Sequence, residues 1–476
     1  MRAFEQEWLH NEKILPRLID YSIAHLVMLS ERAVVAPAIA GRIVACLEAI
    51  GRDGFAVLPY RPELDGLQPN LEAEVTRRLG PDVGGWLSTG RARQECELVA
   101  RQICVRDDLL RAMSAAADVA EALVELAGGA GDAVMPYHTW AQHAEPITFG
   151  YFAAAEAFAI EADLQRLQGA FARIDMSRAD IGQIVPPPLP IDRGRVAGLL
   201  GFGGVMDNSL HAYGSLDAEI GVISALALHA ARLARLAETL FVWASPEFGF
   251  LAFGPEFTGT SYAMPQKRNP YALRLARPVA ARAIGAWNDA MQLFSGGLSL
   301  VGNGVIHVPN RALTLIGEVA DLDRLMADAL PTLTLDRARM SSAAEQSLAF
   351  APQLVFLLVR SANVSFRQAH EVVARLLEQG ETYEPERLER VFADVVGRPL
   401  AIDGDAVQTG LDVRAVIASR DVGGPAPAAV ASQAEILRER LSGFRHWLDG
   451  RNDVVSRAAA ELAAAAADLS AAAAQP

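Results

Sequence analysis

The 476-residue sequence has few cysteines and fewer positive than negative side chains. Its three cysteines, Cys46, Cys96 and Cys104, are odd in number and lack CxxC or metal-ligand spacing. We therefore interpret them as reduced thiols of a cytoplasmic protein. The formal net charge is −14, which argues against a nucleic-acid backbone or an anionic membrane surface as the main partner.

Long apolar runs and signal-like segments are also lacking. The first residues, MRAFEQEWLHNEKIL, carry too many charges for a secretory signal. No uninterrupted apolar run approaches the roughly 18 to 20 residues that a membrane span requires. The sequence therefore predicts a soluble, cytoplasmic protein with no nucleic-acid or membrane partner.

Strand signals are weak, and helical patterns dominate the chain. Alternating β-branched runs are scarce, whereas Ala, Leu, Arg and Glu, which favour helix, are abundant. The pattern at 216–244 is apolar nearly all round, which is typical of a helix buried in a large core or a subunit interface. Five long helical patterns fill the middle of the chain, at 107–129, 150–175, 216–244, 270–295 and 311–330. Together they predict an all-α fold with an elongated bundle of long helices shared between subunits.

The length of the chain and its changes of pattern predict three domains. Residues 1–105 form an N-terminal helical domain, 106–350 the central helical bundle, and 351–476 a C-terminal helical domain. The tail RAAAELAAAAADLSAAAAQP is rich in alanine and of low complexity. We expect it to be a terminal helix that frays.

One loop carries the most specific signal in the sequence. Residues 259–270 read GTSYAMPQKRNP, which resembles the signature loop of the fumarase/aspartase superfamily, G-S-S-x-M-P-x-K-x-N-P. Aligned on MPQKRNP, Ser261 falls on the first serine of the signature, Lys267 on its lysine and Asn269 on its asparagine. The alternative interpretation is a helix-capping turn. Agreement in residue type and spacing at six of the eight fixed positions favours the signature.

The resemblance implies a chemistry for these residues. Superfamily members eliminate fumarate from succinyl compounds, which requires removal of a weakly acidic Cβ proton and stabilisation of the dianion that forms. By resemblance, Ser261 is the base on a mobile loop, while Lys267 and Asn269 hold a substrate carboxylate. Tyr262 and Met264, on the same loop, are further candidate substrate contacts. Neither a metal nor a cofactor is expected.

Other segments resemble the argininosuccinate lyase branch of the superfamily over most of the chain. They include YSIAHLVML at 21–29, LSTGRARQECELVA at 87–100 and SFRQAHEVVARLL at 365–377. The resemblance assigns the fumarate portion of a dicarboxylate substrate to Arg93, Gln94, Thr139 and Gln142. In this family such segments come from different subunits, so a homotetramer is implied.

The segment at 139–146, TWAQHAEP, departs from the lyase pattern. Trp140 stands where most lyases of the superfamily have the histidine linked to protonating the leaving group, and indole is no general acid near neutral pH. The segment resembles the same stretch of 3-carboxymuconate cycloisomerases, which also carry a histidine at the place of His143. We include Trp140, His143 and His307 among the candidate substrate contacts.

The residues that argininosuccinate lyases use for the amino-acid end of the substrate are missing. Leu216 stands at an arginine position, while Gly302, His307 and Asn310 stand at tyrosine, glutamine and lysine positions. A site that pairs a buried carboxylate with cations loses several kcal/mol without them. We therefore expect a carbon–nitrogen lyase that acts on a substituted succinate or aspartate other than argininosuccinate.

Two alternatives remain open at this point. The TWAQHAEP segment favours a cycloisomerase acting on a carboxymuconate, although the TGRAR and C-terminal segments are lyase-like. The chain could also be an inactive scaffold that keeps the lyase fold. The joint presence of Ser261, Lys267 and Asn269 argues against that alternative, because a scaffold has no physical need for a lysine on a mobile loop.

Overall fold

Helices form most of the structure, a computed structural model that describes residues 10–58, 61–64, 66–182, 184–296, 304–346, 351–378, 385–402, 407 and 410–473. The N-terminal part contains α1 (Asn11–Glu31), α2 (Pro37–Asp53), α3 (Leu67–Leu79) and α4 (Pro81–Gly84). The central part contains α5 (Arg93–Gly129), α6 (Phe149–Ile174), α7 (Arg193–Leu199), α8 (Ser209–Gly214), α9 (Asp217–Trp243), α10 (Ala276–Ser295), α11 (Gly304–Ala329) and α12 (Arg337–Glu345). The C-terminal part contains α13 (Ala351–Ala362), α14 (Phe366–Leu377), α15 (Pro385–Val396), α16 (Val413–Ala418) and α17 (Pro427–Ala473).

The strands are short and pair only in twos within the described residues. Strands β1 (Val134–Thr139) and β2 (Gln142–Thr148) form an antiparallel hairpin between α5 and α6. The other pairs are β3 (Met176–Ser177) with β4 (Gly204–Val205), β5 (Leu251–Ala252) with β8 (Thr334–Leu335), and β6 (Gly259–Thr260) with β7 (Arg268–Asn269). The predicted all-α class is confirmed.

Four of the long helices enclose the main core. Helices α5, α6, α9 and α11 pack against one another, and their apolar faces join one large buried cluster with α1, α2 and α17. Helix α5 begins 14 residues before the helix expected at 107–129. The sequence pattern missed this part because its first turns carry many polar residues that are nevertheless buried. Helix α6 starts as the β2 strand ends, where the Thr148 side chain accepts a hydrogen bond from the Tyr151 backbone N–H.

The two predicted domain boundaries differ in how they lie relative to the helices. A division after residue 105 would cut α5, which runs unbroken from 93 to 129. A division at 350 falls directly before α13, and helices α13 to α15 build a second buried cluster of their own. Helix α17 belongs to the main core instead.

The alanine-rich tail packs more closely than expected. Helix α17 continues to Ala473, and its last turns lie against α2. The backbone carbonyl of Leu469 occupies the space where a Cβ at Gly41 would stand. The absence of a side chain at Gly41 lets the two helices approach this closely.

Helix α9 has the length and the mean hydropathy, 1.4 over its most apolar window, of a membrane-spanning helix. The expectation from apolar runs missed it because charged residues interrupt the sequence. The buried share of that window is 56%, and the helix packs against α6, α10 and α11. It also carries a buried histidine paired with two carboxylates. These features are those of a core helix.

The histidine is His229, which is fully buried between α6 and α11. Its Nδ1 lies 3.2 Å from Asp163 and its Nε2 lies 2.8 Å from Asp323, while Arg232 also binds Asp163. Burial alone would lower the pKa of His229, but the negative charges of Asp323 and Asp163 outweigh burial and raise the pKa to about 10. A protonated imidazole therefore joins three core helices.

Replacing this histidine tests that interaction. The folded-state pKa of His229 is raised, so its stabilisation is complete below about pH 6.5 and is lost as the pH rises through about 10. We expect His229→Gln to lower the free energy of unfolding at pH 7 by about 3–5 kcal/mol, because it leaves a buried carboxylate without its cation.

Urea unfolding of the wild type and of His229→Gln, measured between pH 6 and 10, checks both points. The wild type should lose more stability over this range than the variant. Equal pH slopes in the two proteins would contradict a charged His229.

Candidate active site

The signature loop is the tip of a small antiparallel hairpin. Gly259 pairs with Asn269 and Thr260 with Arg268, so Ser261 directly follows β6 and Lys267 directly precedes β7. This pairing brings the two ends of the signature together at the base of the tip. The lysine is exposed, whereas the serine and the asparagine are half-buried. The hairpin therefore presents all three predicted catalytic side chains from one short segment.

Polar contacts within the loop are mostly local. The Lys267 backbone N–H donates to the Met264 carbonyl at 3.1 Å, and the Arg268 side chain donates to the Pro265 carbonyl at 2.7 Å. The Tyr262 side chain is completely exposed and Met264 is 43% exposed. Both are therefore available to a substrate or to a neighbouring chain.

Arg93 and Gln94 occupy the first turn of α5. Gln94 accepts a hydrogen bond from the Tyr213 hydroxyl of α8, which fixes the amide from a second segment. Both residues are half-buried, so their polar ends remain accessible at the start of the helix. The next residue, Glu95, points the other way and is fully buried.

Glu95 lies on the inner side of this turn, in a buried hydrogen-bonding network. Its carboxylate accepts hydrogen bonds from the Tyr21 hydroxyl at 2.8 Å and from the Ile181 backbone N–H at 3.1 Å. Burial, together with the nearby charge of Asp180, raises the pKa of Glu95 to about 8. The geometry places this carboxylate in a buried network.

That network continues to a buried histidine. The Tyr21 hydroxyl also lies 2.9 Å from the Asp180 carboxylate, and Asp180 lies 2.8 Å from His25 Nδ1. The other ring nitrogen of His25 lies 2.8 Å from the Thr89 carbonyl, one residue before Gly90 in the TGRAR segment. The network therefore joins α1, the TGRAR turn and the residues that follow β3. It holds the start of α5 in place.

The TWAQHAEP segment forms the β1–β2 hairpin, with a two-residue turn at Trp140 and Ala141. Both have positive φ, 53° and 59°, as a type I′ turn requires. Glycine or asparagine usually occupies such positions, so the turn stores backbone strain. Thr139 pairs with Gln142 across it, and the Trp140 side chain is 98% exposed. The turn holds the indole out into solvent.

His138 and His143 face each other across the same hairpin, with ring centroids 4.9 Å apart. Cross-strand partners share a face of a hairpin, and adjacent pairs alternate. The two histidines therefore lie on the face opposite Thr139 and Gln142. His138 also packs against Phe248, 5.2 Å away, and burial lowers its pKa.

The segment expected at the amine end of a substrate lies along α5. His307 is half-buried near the start of α11, and Asn310 is buried one turn later. The Asn310 amide oxygen accepts a hydrogen bond from the buried Arg101 of α5 at 3.1 Å. Leu216 is buried at the start of α9, and Gly302 lies outside the described residues.

The sequence interpretation assigned no role to three residues that make contacts near these segments. His10 gave no signal in the sequence, yet it is half-buried, with its Nε2 3.0 Å from Thr314 Oγ1. Tyr213 gave no signal because its partner, Gln94, is 119 residues away. Tyr271 follows the signature by one residue, and its aromatic character alone indicated no role.

Comparison with known proteins identifies the family. A family model described as Lyase matches residues 2–285. Argininosuccinate lyase of Haloarcula marismortui is 31% identical over 465 residues, which cover 96% of this chain and 92% of that protein. The chain belongs to the fumarase/aspartase superfamily of lyases, near its argininosuccinate lyase branch. It is a carbon–nitrogen lyase.

Solved structures of this superfamily share the fold. A fumarate-bound variant of EDDS lyase has a TM-score of 0.90 at 24% identity, covering 99% of this lyase and 96% of that chain. The β-carboxy-cis,cis-muconate cycloisomerase of Acinetobacter calcoaceticus has a TM-score of 0.69 at 17% identity, covering 92% and 98%. At these identities the likeness establishes the fold of the lyase and leaves its substrate open.

The exposure of Lys267 can be tested chemically, because this lyase contains only one other lysine, Lys13. Lys13 is paired with Asp108, whereas Lys267 stands exposed at the loop tip. We expect an amine-acylating reagent to modify Lys267 roughly two- to fivefold faster, since a surface ion pair is worth up to about 1 kcal/mol. Mass spectrometry of peptides taken at short times measures both rates.

The variants Lys267→Arg and Lys13→Arg serve as matched controls. Each should remove one labelled peptide and leave the rate of the other unchanged. Faster labelling of Lys13 than of Lys267 would contradict the exposed position of the loop lysine.

Proposed function

We propose that this lyase eliminates fumarate, or a close analogue, from an N-substituted aspartate or substituted succinate. The observation that carries the proposal is the β6–β7 hairpin, which presents Ser261, Lys267 and Asn269 within nine residues of chain. A hydroxyl, a cation and an amide donor are the groups needed to remove a proton next to a carboxylate. They also stabilise the charge that results.

The proposed reaction begins at the Cβ of the substrate. Ser261 Oγ takes the Cβ proton, and the negative charge that develops on the adjacent carboxylate is held by Lys267 and Asn269. The electron pair then forms the Cα–Cβ double bond as the Cα–nitrogen bond breaks. A serine hydroxyl must be activated for this role, and a nearby ammonium group and the exclusion of water favour its ionised form.

Protonation of the leaving nitrogen needs a group other than Trp140. The indole has no titratable nitrogen, and it stands exposed at the tip of the β1–β2 hairpin. His143 lies on the other face of that hairpin, paired with His138. We propose that the leaving amine bears an electronegative substituent, departs with little assistance from the protein, and takes its proton from water.

The amine end of the site supports a substrate other than argininosuccinate. Asn310 stands at the lysine position and is already bonded to Arg101, while Leu216, at the arginine position, is buried in the core. Neither side chain offers a free charge to an α-amino acid. A smaller or less charged amine suits this environment better.

We also propose that this lyase works as a homotetramer. Helix α10 exposes an apolar stripe at intervals of three and four residues, formed by Ile284, Trp287, Met291 and Phe294. A stripe with this spacing is the pattern of a helix that packs against another helix. The loop tip and the hairpin tip are also exposed, which supports sites completed by neighbouring subunits.

The first test of the proposed function runs the reaction in reverse. We expect purified lyase, incubated with fumarate and a pool of amines, to form N-substituted aspartates that mass spectrometry detects by mass. Ser261→Ala should lower the rate by about 10²-fold or more, because it removes the proposed base. The mass of the adduct identifies the amine.

Two further substrates separate the alternatives. Argininosuccinate should give no fumarate above background, whereas turnover at ordinary enzyme rates would refute our account of the amine end. Turnover of a carboxymuconate without any amine adduct would favour the cycloisomerase, and inactivity towards all substrates would favour the scaffold.

The tetramer is tested at the stripe on α10. We expect the wild type to have four times the 50.9 kDa mass of one chain in light scattering. Ile284→Arg should give smaller species and lose lyase activity, because it places a charge in an apolar interface. Ile436→Arg on α17 is the matched control, since Ile436 is 42% exposed outside the stripe. A tetrameric Ile284→Arg variant would rule out this interface.

A further inference from the structure

A tyrosine outside the signature lies across the base of the signature hairpin. Tyr271 follows β7 by two residues, and its ring covers the backbone of Gly259 at the start of β6. A Cβ built on Gly259 would fall on two carbons of that ring, well inside van der Waals contact. Gly259 has φ outside the left-handed region, so its backbone does not require glycine. The ring of Tyr271 requires glycine at this position, because it occupies the space that a side chain would fill.

This contact changes the role expected for Gly259. A glycine next to a mobile loop is ordinarily expected to act as a free joint. In the structure the space is filled by an aromatic ring from the other side of the loop. The glycine therefore admits a packing contact that ties the two ends of the loop together.

Polar contacts of Tyr271 point to the same positions. Its hydroxyl lies 3.4 Å from the Thr260 carbonyl, next to Ser261, and 3.4 Å from the Asn269 side-chain nitrogen. The Arg274 guanidinium lies over the ring, 4.8 Å from its centroid. One side chain thus contacts both strands beside two of the three predicted catalytic residues.

We infer that Tyr271 is a positioning residue that holds the signature hairpin closed at its base and so sets the placement of Ser261 and Asn269. This inference rests on the proposed function for its catalytic consequence, and on packing alone for its structural one. With the base held by Tyr271 and Gly259, the tip moves as a preformed hairpin. Displacement of a reacting group by about 1 Å costs as much as 10²-fold in rate.

The test uses the small number of lysines in the chain. A protease that cleaves after lysine has two sites, Lys267 at the loop tip and Lys13 in α1, which is paired with Asp108. Cleavage at Lys267 separates the chain into two large fragments, which are resolved by mass. Its rate follows the population of the opened loop and needs no substrate.

We expect Gly259→Ala and Tyr271→Ala each to speed cleavage at Lys267 by about tenfold and to lower kcat in the proposed reaction. The double variant should match Tyr271→Ala alone, because a Cβ at 259 has room once the ring is gone. Tyr271→Phe keeps the ring and should lie near the wild type in cleavage. The overall thermal unfolding midpoint should change little, since the loop lies outside the buried core.

Gly169→Ala on α6 is the matched glycine control, because a Cβ there meets no neighbour within 4 Å. A cleavage rate of Gly259→Ala equal to that of the wild type would overturn the inference. So would a double variant whose rate increase is the product of the two single increases. A protein without lyase activity would refute the proposed function, while the cleavage rates would still decide the role of Tyr271.

Discussion

Helix α5 is the constraint on which the rest of the structure depends. It is buried along most of its length, and charged residues inside it are compensated locally: Arg101 by Glu97 and Asn310, and Arg106 by Asp107 and the Leu200 carbonyl. Leaving such cations unpaired would cost several kcal/mol each. The helix therefore has one arrangement against its neighbours. Its first turn carries Arg93, and its last turn leads directly into the β1–β2 hairpin.

Sequence reasoning found what depends on short-range patterns. The helical periodicity predicted the all-α class, and the fixed spacing of Ser261, Lys267 and Asn269 identified the family, because both patterns lie within a few turns of chain. The role of Glu95 depends on Tyr21 and on the Ile181 backbone, which are distant in sequence and adjacent only after folding. Local patterns could not indicate that this carboxylate faces inward.

The scarcity of lysine in the chain bears on the role of the loop. The chain has 43 lysines and arginines, of which only Lys13 and Lys267 are lysine. Arginine thus provides nearly all of the permanently charged cationic side chains of this protein. A position that keeps lysine on an exposed loop favours a compact ammonium over a planar, bidentate guanidinium. That preference suits a point charge directed at one carboxylate oxygen beside the proposed base.

The two hairpins that carry predicted site residues are stabilised in different ways, one through a strained turn and the other through packing. The β1–β2 turn holds Trp140 and Ala141 at positive φ, which persists only where the surrounding structure over-determines it. The β6–β7 hairpin has no such strain, and its shape depends on one ring over one glycine. A strained turn therefore fixes the β1–β2 hairpin, and a packing contact at its base fixes the β6–β7 hairpin.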